Sequence, residues 1–202
     1  MNITIEQLDL MIPDAPDLKI EKFYEPIVET LDRYQINSRL RIAAFLAQIA
    51  HETGSLRYIE ELWGPTDAQV RYDLPHKKAF ELGNNLPEAL SIAKLHDTTP
   101  GFFYRGRGGI QITGYLNYLK VARALDIDCI NTPQLLTDPM NAMLSSGFFW
   151  ISNGRNVEGE NLNCNELADI CYFTLITRVI NGGTSGLDHR LKFYRNNLQV
   201  LI

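Results

Sequence analysis

Three glutamates at and after the end of one helical segment are the residues whose placement first suggests chemistry. Apolar residues at positions 42, 45, 46 and 49 repeat at the spacing of a buried helix face, and Glu52 is the next residue on that face. Burial disfavours the charged form of a carboxyl and raises its pKa, which can keep a glutamate protonated as a general acid. The alternative is a structural Glu52, half exposed or paired with an arginine.

Glycoside hydrolysis requires two carboxyl groups, one protonated and one ionised. Glu52 and Glu61 are nine residues apart, so an unbroken helix would direct them to opposite sides with about 13–14 Å of rise between them. Both can face one cleft only if the chain turns after Glu52, and Gly54-Ser55 is the predicted turn. A separation of roughly 6.5–9.5 Å would indicate inversion, and about 5–5.5 Å retention. The pattern alone does not separate Glu61 from Glu60 as the second carboxylate.

A glycine-rich segment, YRGRGGIQITGYLNY at residues 104–118, contains further candidates. Ile110 to Thr113 alternates apolar and polar residues, which predicts a short strand that exposes Gln111 and Thr113 on one face. The glycine spacing fits neither the dinucleotide-binding nor the phosphate-loop pattern. His51 lacks the second histidine of a zinc protease motif, so we predict no metal and no cofactor. His51 could still hydrogen-bond a carboxylate.

The elements that must position these residues are mainly helical. Asn37 or Ser38 is predicted to cap the helix that carries Glu52, and Arg190 falls in the first turn of the last helix. Prolines and a glycine interrupt residues 64–101, which predicts a loop-rich segment with Glu88–Leu95 as its most helical part. The other predicted helices are residues 2–12 (begun by Asn2 or Thr4), 20–34, 115–125, 140–151, 166–180 and 187–201.

Composition places the chain among ordinary globular domains. Its 202 residues are 45% apolar with a net charge of −5, which suits a single domain, residues 1–202, folded as two lobes around a cleft. The acidic balance argues against nucleic acid as a partner, and no segment approaches the roughly 18 apolar residues of a membrane span. We predict neither a signal peptide nor a wall-binding module. The three cysteines match no zinc spacing and are predicted to be reduced thiols.

Three blocks, taken in order, resemble glycoside hydrolase family 19: HETGSLRYIEELW, YRGRGGIQITGYLNY and VINGGTSGLDHR. That family contains chitinases and the phage endolysins that cleave peptidoglycan. The resemblance implies a mainly α, lysozyme-like fold of two lobes with a small β element lining a central cleft. Ser55 departs from the family pattern, which commonly has a glycine there, and residues 64–103 share little with it beyond WGPTDAQVRY.

The resemblance also implies roles for individual residues. Glu52 matches the general acid, Glu61 the second carboxylate at the spacing of bacterial and phage members, and Thr113 the hydroxyl that orients the attacking water. Arg190 matches an arginine that pairs with the catalytic carboxylates. The implied substrate-binding residues are Gln111, Asn117, Asn181, Arg107, Tyr104 and Arg190.

Each of these roles has a structural alternative. Arg107 and Arg190 could be salt-bridge partners alone, and Gln111 with Thr113 could be a solvated strand face. Asn181-Gly182-Gly183 could be no more than the turn that ends a helix.

The function predicted from the sequence is that of an endolysin, which hydrolyses the β-1,4 bond of peptidoglycan and so lyses the bacterial wall. We expect a monomer that is made in the host cytoplasm without a signal peptide and reaches the wall once the membrane is opened. The alternatives are a chitinase acting on N-acetylglucosamine polymers and a catalytically inactive glycan-binding module. The sequence does not separate hydrolysis from lytic transglycosylation.

Overall fold

Helices dominate the structure, a computed structural model that describes residues 3–201. The elements are α1 (Ile5–Met11), α2 (Asp17–Arg33), α3 (Arg39–Glu52), α4 (Asp67–Val70), α5 (Lys77–Leu82), α6 (Pro87–Leu95), α7 (Pro100–Phe103), α8 (Tyr115–Leu125), a 3₁₀ helix (Pro133–Thr137), α9 (Pro139–Ser152), β1 (Gly154–Val157), β2 (Glu160–Asn163), α10 (Cys164–Asp169), α11 (Phe173–Asn181) and α12 (Leu187–Val200). Thr4 caps α1, while the alternative cap Asn2 lies outside the described residues. The prediction of a mainly α fold with a small sheet is confirmed.

Residues 3–58 with 146–201 form one compact unit, and residues 59–145 form a second. We call them unit 1 and unit 2. The assignment of residues 1–202 to a single catalytic domain stays a prediction. No helix in the described range 3–201 is long and apolar enough to cross a membrane.

Helix α3 is the centre of unit 1. Ser38 caps it by accepting a hydrogen bond from the Arg41 N–H, and every residue from position 42 to position 50 is buried. The helix is therefore enclosed on all sides rather than amphipathic, and each of its fully buried large apolar side chains contributes about 1.5–3 kcal/mol. Helices α12, α10 and α11 pack against it.

The chain turns sharply where α3 ends, as predicted. Thr53 follows the last helical residue, and Gly54, Ser55 and Leu56 then take φ values of +54°, +61° and +62°. Three successive left-handed residues cannot continue a right-handed helix. The Ser55 N–H closes the turn on the Ala50 carbonyl.

The hairpin of unit 1 lies where no strand was predicted. Strands β1 and β2 pair antiparallel, with Gly154 opposite Asn163 and Val157 opposite Glu160. Glu158 and Gly159 connect them with positive φ values, the geometry that matches the twist of a two-residue hairpin turn.

The helix predicted over residues 166–180 is also wrong, because it is two helices, α10 and α11. Cys171 has a φ of +59°, and the Tyr172 N–H bonds back to the Leu167 carbonyl. The cysteines are free thiols, as predicted, with Cys129 and Cys164 buried and Cys171 exposed. Burial raises the pKa of both Cys129 and Cys164 to about 12, so these two remain protonated.

In unit 2, the predicted strand Ile110–Thr113 is wrong as a regular element. Gln111 has a φ of +52°, and pairing is limited to isolated bridges of Arg107 with Glu60 and with Ile112. The alternation nevertheless predicted the buried residues correctly, since Ile110 and Ile112 are both buried. Residues 64–103 contain the four short helices α4 to α7, and the predicted helical part of that segment is α6.

Candidate active site

Glu52 is the last residue of α3 and lies beside a cation. Its carboxylate accepts a hydrogen bond from Arg190 Nη2 at 2.5 Å, and 18% of its side chain is exposed. The pairing expected for Arg190 is therefore present, whereas an apolar enclosure of the carboxyl is not. Glu52 therefore forms an ion pair with a buried guanidinium.

Two neutral acceptors hold Arg190 in place. Its Nε donates to the Ser185 carbonyl at 3.3 Å, and its Nη1 donates to Gln48 Oε1 at 2.5 Å. Gln48 Nε2 in turn donates to Thr177 Oγ1 at 3.1 Å. Sequence reasoning missed Gln48, although a polar residue within an otherwise apolar helix, one turn before Glu52, was a usable signal. We call Glu52, Arg190, Gln48 and Thr177 the Glu52 cluster.

His51 bonds to another histidine rather than to a carboxylate. Its Nδ1 lies 2.9 Å from Nδ1 of His189, so one of the two carries the shared proton. Burial, with smaller contributions from Arg190 and His189, lowers the pKa of His51 to about 4. Gly186 packs directly against the His51 ring. Any side chain there would clash, since a Cβ would lie 2.2 Å from His51 Cε1. The ring is thus neutral near pH 7.

Neutral donors, by contrast, surround Glu61 in unit 2. The Gly106 N–H donates to Oε2 at 3.0 Å, and Gln69 Nε2 and the Tyr72 hydroxyl donate to Oε1 at 3.0 Å and 3.4 Å. The Glu61 N–H also donates to the Gly106 carbonyl. Burial and the Glu61 charge raise the pKa of Tyr72 to about 12, so the phenol stays a donor. Sequence reasoning missed Gln69 and Tyr72, although both lie in WGPTDAQVRY, the part of this weakly patterned segment that resembles the family.

The geometry distinguishes Glu60 from Glu61. Glu60 Oε1 lies 2.7 Å from Arg105 Nη2 and 2.7 Å from Arg107 Nε, and it has no bond of the Glu61 kind to a backbone amide. Glu60 is therefore committed to two guanidinium groups, whereas Glu61 accepts from neutral donors. The choice of Glu61 over Glu60 as the second carboxylate stays a prediction.

Gly106 brings three predicted site residues together. A Cβ at Gly106 would lie 2.6 Å from Gln111 Oε1 and 3.2 Å from Thr113 Oγ1, so both side chains rest against its α carbon. Its N–H bonds Glu61. The Thr113 hydroxyl donates to the Gln111 carbonyl at 2.9 Å. We call Glu61, Gln69, Tyr72, Gly106, Gln111 and Thr113 the Glu61 cluster.

Asn117 adjoins the Glu61 cluster through one hydrogen bond. Its Nδ2 donates to the Thr113 carbonyl at 2.8 Å, from the first turn of α8. The amide oxygen of Asn117 is therefore directed by a fixed partner, and its predicted contact with sugar stays a prediction.

Two predicted substrate-binding residues have fully buried side chains, and their contact with sugar stays a prediction. Tyr104 is 0% exposed and donates its hydroxyl to the Ile130 carbonyl inside an aromatic cluster. Arg107, also 0% exposed, donates to Glu60, to the Phe103 carbonyl and to the Tyr118 hydroxyl. Both side chains make these hydrogen bonds inside unit 2, which is the geometry of the structural alternative given for Arg107.

Asn181 is exposed at the end of α11, and Gly182 caps that helix with a φ of +75°. The C-cap turn considered from the sequence is present, and a sugar contact of Asn181 stays a prediction. Within residues 3–201, no group of three or more His, Cys, Asp or Glu side chains is arranged to hold a metal ion.

Comparison with known proteins relates the chain to one family. The Glyco_hydro_19 family model, described as chitinase class I, matches residues 30–201. The chain is 28% identical over 189 residues to a glycosyl hydrolase family 19 domain-containing protein of Haemophilus influenzae, covering 87% of this chain and 88% of that protein. It is 31% identical over 188 residues to the basic 30 kDa endochitinase of Solanum lycopersicum, covering 82% of this chain and 55% of the endochitinase. The chain thus spans little more than half of that plant relative.

Solved structures share the fold. A bacterial family 19 chitinase superposes with a TM-score of 0.73 at 22% identity, covering 98% of this chain and 94% of that one. Chitinase C from Streptomyces griseus HUT6037 superposes with a TM-score of 0.72 at 22% identity, covering 98% and 76%.

The fold and the match over most of the chain define a glycoside hydrolase of mainly α, lysozyme-like architecture. Within that class, the chain belongs to glycoside hydrolase family 19.

Proposed function

We propose that the protein hydrolyses a β-1,4 glycosidic bond by a single displacement, with Glu52 as the acid and Glu61 as the base. The observation that carries this proposal is the gathering of the Glu61 carboxylate, the Gln111 amide and the Thr113 hydroxyl around Gly106. A base and a water-orienting hydroxyl are the groups that an attacking water needs.

The hydrogen bonds of Thr113 favour one orientation of that water. Because its hydroxyl proton is donated to the Gln111 carbonyl, Oγ1 can only accept from the water. The water then donates one proton to Thr113 and the other to Glu61. Its lone pair is left for the anomeric carbon of an oxocarbenium-like sugar.

The position of Arg190 favours proton transfer from Glu52 to the leaving oxygen. A general acid starts neutral and ends charged, and a neighbouring guanidinium stabilises the charged product. The ion pair of Glu52 with Arg190 is in this proposal the state after proton transfer to the leaving oxygen.

The names of the relatives favour a glycan of β-1,4-linked N-acetylglucosamine, since endochitinases of Solanum lycopersicum and Theobroma cacao are among them. Peptidoglycan, the substrate predicted from the sequence, is the second candidate. The relative matched along nearly its whole length is bacterial. In the endolysin case the protein is made in the host cytoplasm and acts on the wall after the membrane opens.

The purified protein should be incubated separately with chitin oligosaccharides and with bacterial sacculi, and reducing ends and turbidity followed. Release from chitin alone overturns the peptidoglycan assignment, and release from sacculi alone overturns the chitin assignment. Release from neither substrate overturns the enzymatic proposal and supports a glycan-binding module.

Glu52→Gln is the matched control in both arms, because it keeps the shape of the side chain and removes the transferable proton. Mass spectrometry of the muropeptides distinguishes hydrolysis from lytic transglycosylation, which leaves an anhydro sugar.

A further inference from the structure

A chain of buried polar side chains crosses the interior of unit 1 behind Glu52. Gln48 and Thr177 are 0% exposed and Arg190 is 1% exposed. Burying polar groups is costly unless each is hydrogen-bonded. These residues come from three helices, α3, α11 and α12, so their bonds depend on the packing of unit 1 rather than on any single helix.

The bonds of Thr177 fix the orientation of the Gln48 amide. The Thr177 hydroxyl donates to the Phe173 carbonyl at 3.3 Å, which leaves its lone pairs to accept from Gln48 Nε2 at 3.1 Å. The Gln48 Oε1 atom must then face Arg190 Nη1. If the Gln48 amide were flipped, its NH₂ group would face the Arg190 guanidinium, and two hydrogen-bond donors would meet without an acceptor.

This orientation anchors Arg190 independently of Glu52. Gln48 Oε1 and the Ser185 carbonyl are neutral acceptors, and together they occupy Nη1 and Nε. Only Nη2 is directed to Glu52. A guanidinium held in this way keeps its place when Glu52 gains a proton.

We propose that Gln48, oriented by Thr177, is a positioning residue that holds Arg190 against Glu52 and so sets the pH at which Glu52 can act as the acid. The proposal rests on the acid role of Glu52 proposed above. Gln48 acts through Arg190 and touches no substrate.

Other charged groups on the packed elements leave this assignment intact. His51 on α3 is neutral above its lowered pKa of about 4, and its ring bonds His189 of α12. Helix α11 contributes the non-titrating Thr177. On α10, Asp169 is already paired with Arg41, and Glu166 caps its own helix.

The test uses Gln48→Glu, Thr177→Val and the matched control Thr177→Ser, which keeps the hydroxyl. A carboxylate at position 48 would compete with Glu52 for Arg190 and would repel ionised Glu52. The alkaline limb of the kcat profile should therefore move to higher pH by about 1 unit. Thr177→Val frees the amide to rotate and should lower kcat by about tenfold, because a small misplacement of a charged group is expensive in rate. Thr177→Ser should stay within about twofold of the parent, since it retains the same hydrogen bonds.

A purely structural network predicts a different result. If Gln48→Glu and Thr177→Val lower the melting temperature but leave kcat and the alkaline limb as in Thr177→Ser, the proposal is wrong.

A second readout separates this proposal from the proposed function. The titration midpoint of the Glu52 carboxyl, followed by ¹³C NMR in the parent and in Gln48→Glu, requires no turnover. An upward movement supports the positioning role even if neither glycan is cleaved, and an unchanged midpoint overturns it even if both are.

Discussion

Glu52 and Glu61 are both hydrogen-bonded carboxylates, yet their partners differ in charge. Glu52 is bonded by a buried guanidinium that neutral acceptors anchor. Glu61 is bonded by a backbone amide, a glutamine and a phenol, all of them neutral. A fixed cation stabilises the charge left by an acid, while neutral donors orient a base without neutralising it. The two environments thus suit the two different roles proposed for these glutamates.

The largest effect should come from removing either carboxylate. Glu52→Gln and Glu61→Gln should each lower kcat by about 10³-fold, in the range typical of general acid–base catalysis, as measured by reducing-end release.

Glu60→Gln is the control for these two variants. Glu60 pairs with Arg105 and with the buried Arg107, so its loss should lower the melting temperature while kcat stays within about tenfold, because breaking a buried ion pair mainly costs stability. If Glu60→Gln lost as much rate as Glu61→Gln, the choice of Glu61 over Glu60 as the base would be contradicted.

The next effect concerns the glycine at the centre of the Glu61 cluster. Gly106→Ala keeps the N–H that bonds Glu61 but introduces a Cβ that displaces Gln111 and Thr113. We expect kcat to fall by about 10²-fold, since displacing a positioned group by about 1 Å has effects of that size. Gly64→Ala is the matched control, because a Cβ there meets no atom closer than 3.8 Å. Equal rates for the two variants would show that Thr113 does not position the water.

Features of the fold and the site could be predicted from the sequence where neighbouring residues determine them, and not where distant segments do. The turn after Glu52 was predictable because Gly54 marks it, and Ser38 is a standard helix cap. The φ of +52° at Gln111 and the left-handed Cys171 have no local signature, so a false strand and an unbroken helix were predicted. The burial of Tyr104 and Arg107 results from contacts between distant segments. The apolar pattern singled out Glu52 as a candidate acid, whereas the choice of Glu61 over Glu60 came from the resemblance.

A smaller effect should appear in the stability of unit 1, through its histidine pair. Folded His51 has a pKa of about 4, whereas an unfolded histidine titrates near 6.5. Between these values the unfolded chain binds a proton that folded His51 does not, so stability is complete above about pH 6.5 and falls as the pH drops toward 4.

The expected loss from His51 is roughly 1–3 kcal/mol, reduced by the partial exposure of the ring. Urea unfolding at pH 7 and pH 4.5 measures it. His51→Asn, which has no titrating ring, should show a smaller difference between the two pH values. An equal difference would assign the effect to other groups.

The smallest effect should come from one neutral donor of Glu61. Tyr72→Phe removes the 3.4 Å bond to Oε1 and leaves the bonds from Gln69 and Gly106 in place. We expect kcat/KM to fall by about twofold at most, since the bond is long and weak. A loss as large as that of Glu61→Gln would contradict this secondary role of Tyr72.

The configuration of the first product tests the central claim most directly. A water activated by Glu61 on the face opposite the leaving group inverts the anomeric centre, so cleavage of a β-1,4 bond should give the α anomer first. ¹H NMR of a chitin oligosaccharide digest, recorded before mutarotation, measures this. Initial α product is the result we predict, and initial β product would contradict the roles given to Glu52 and Glu61.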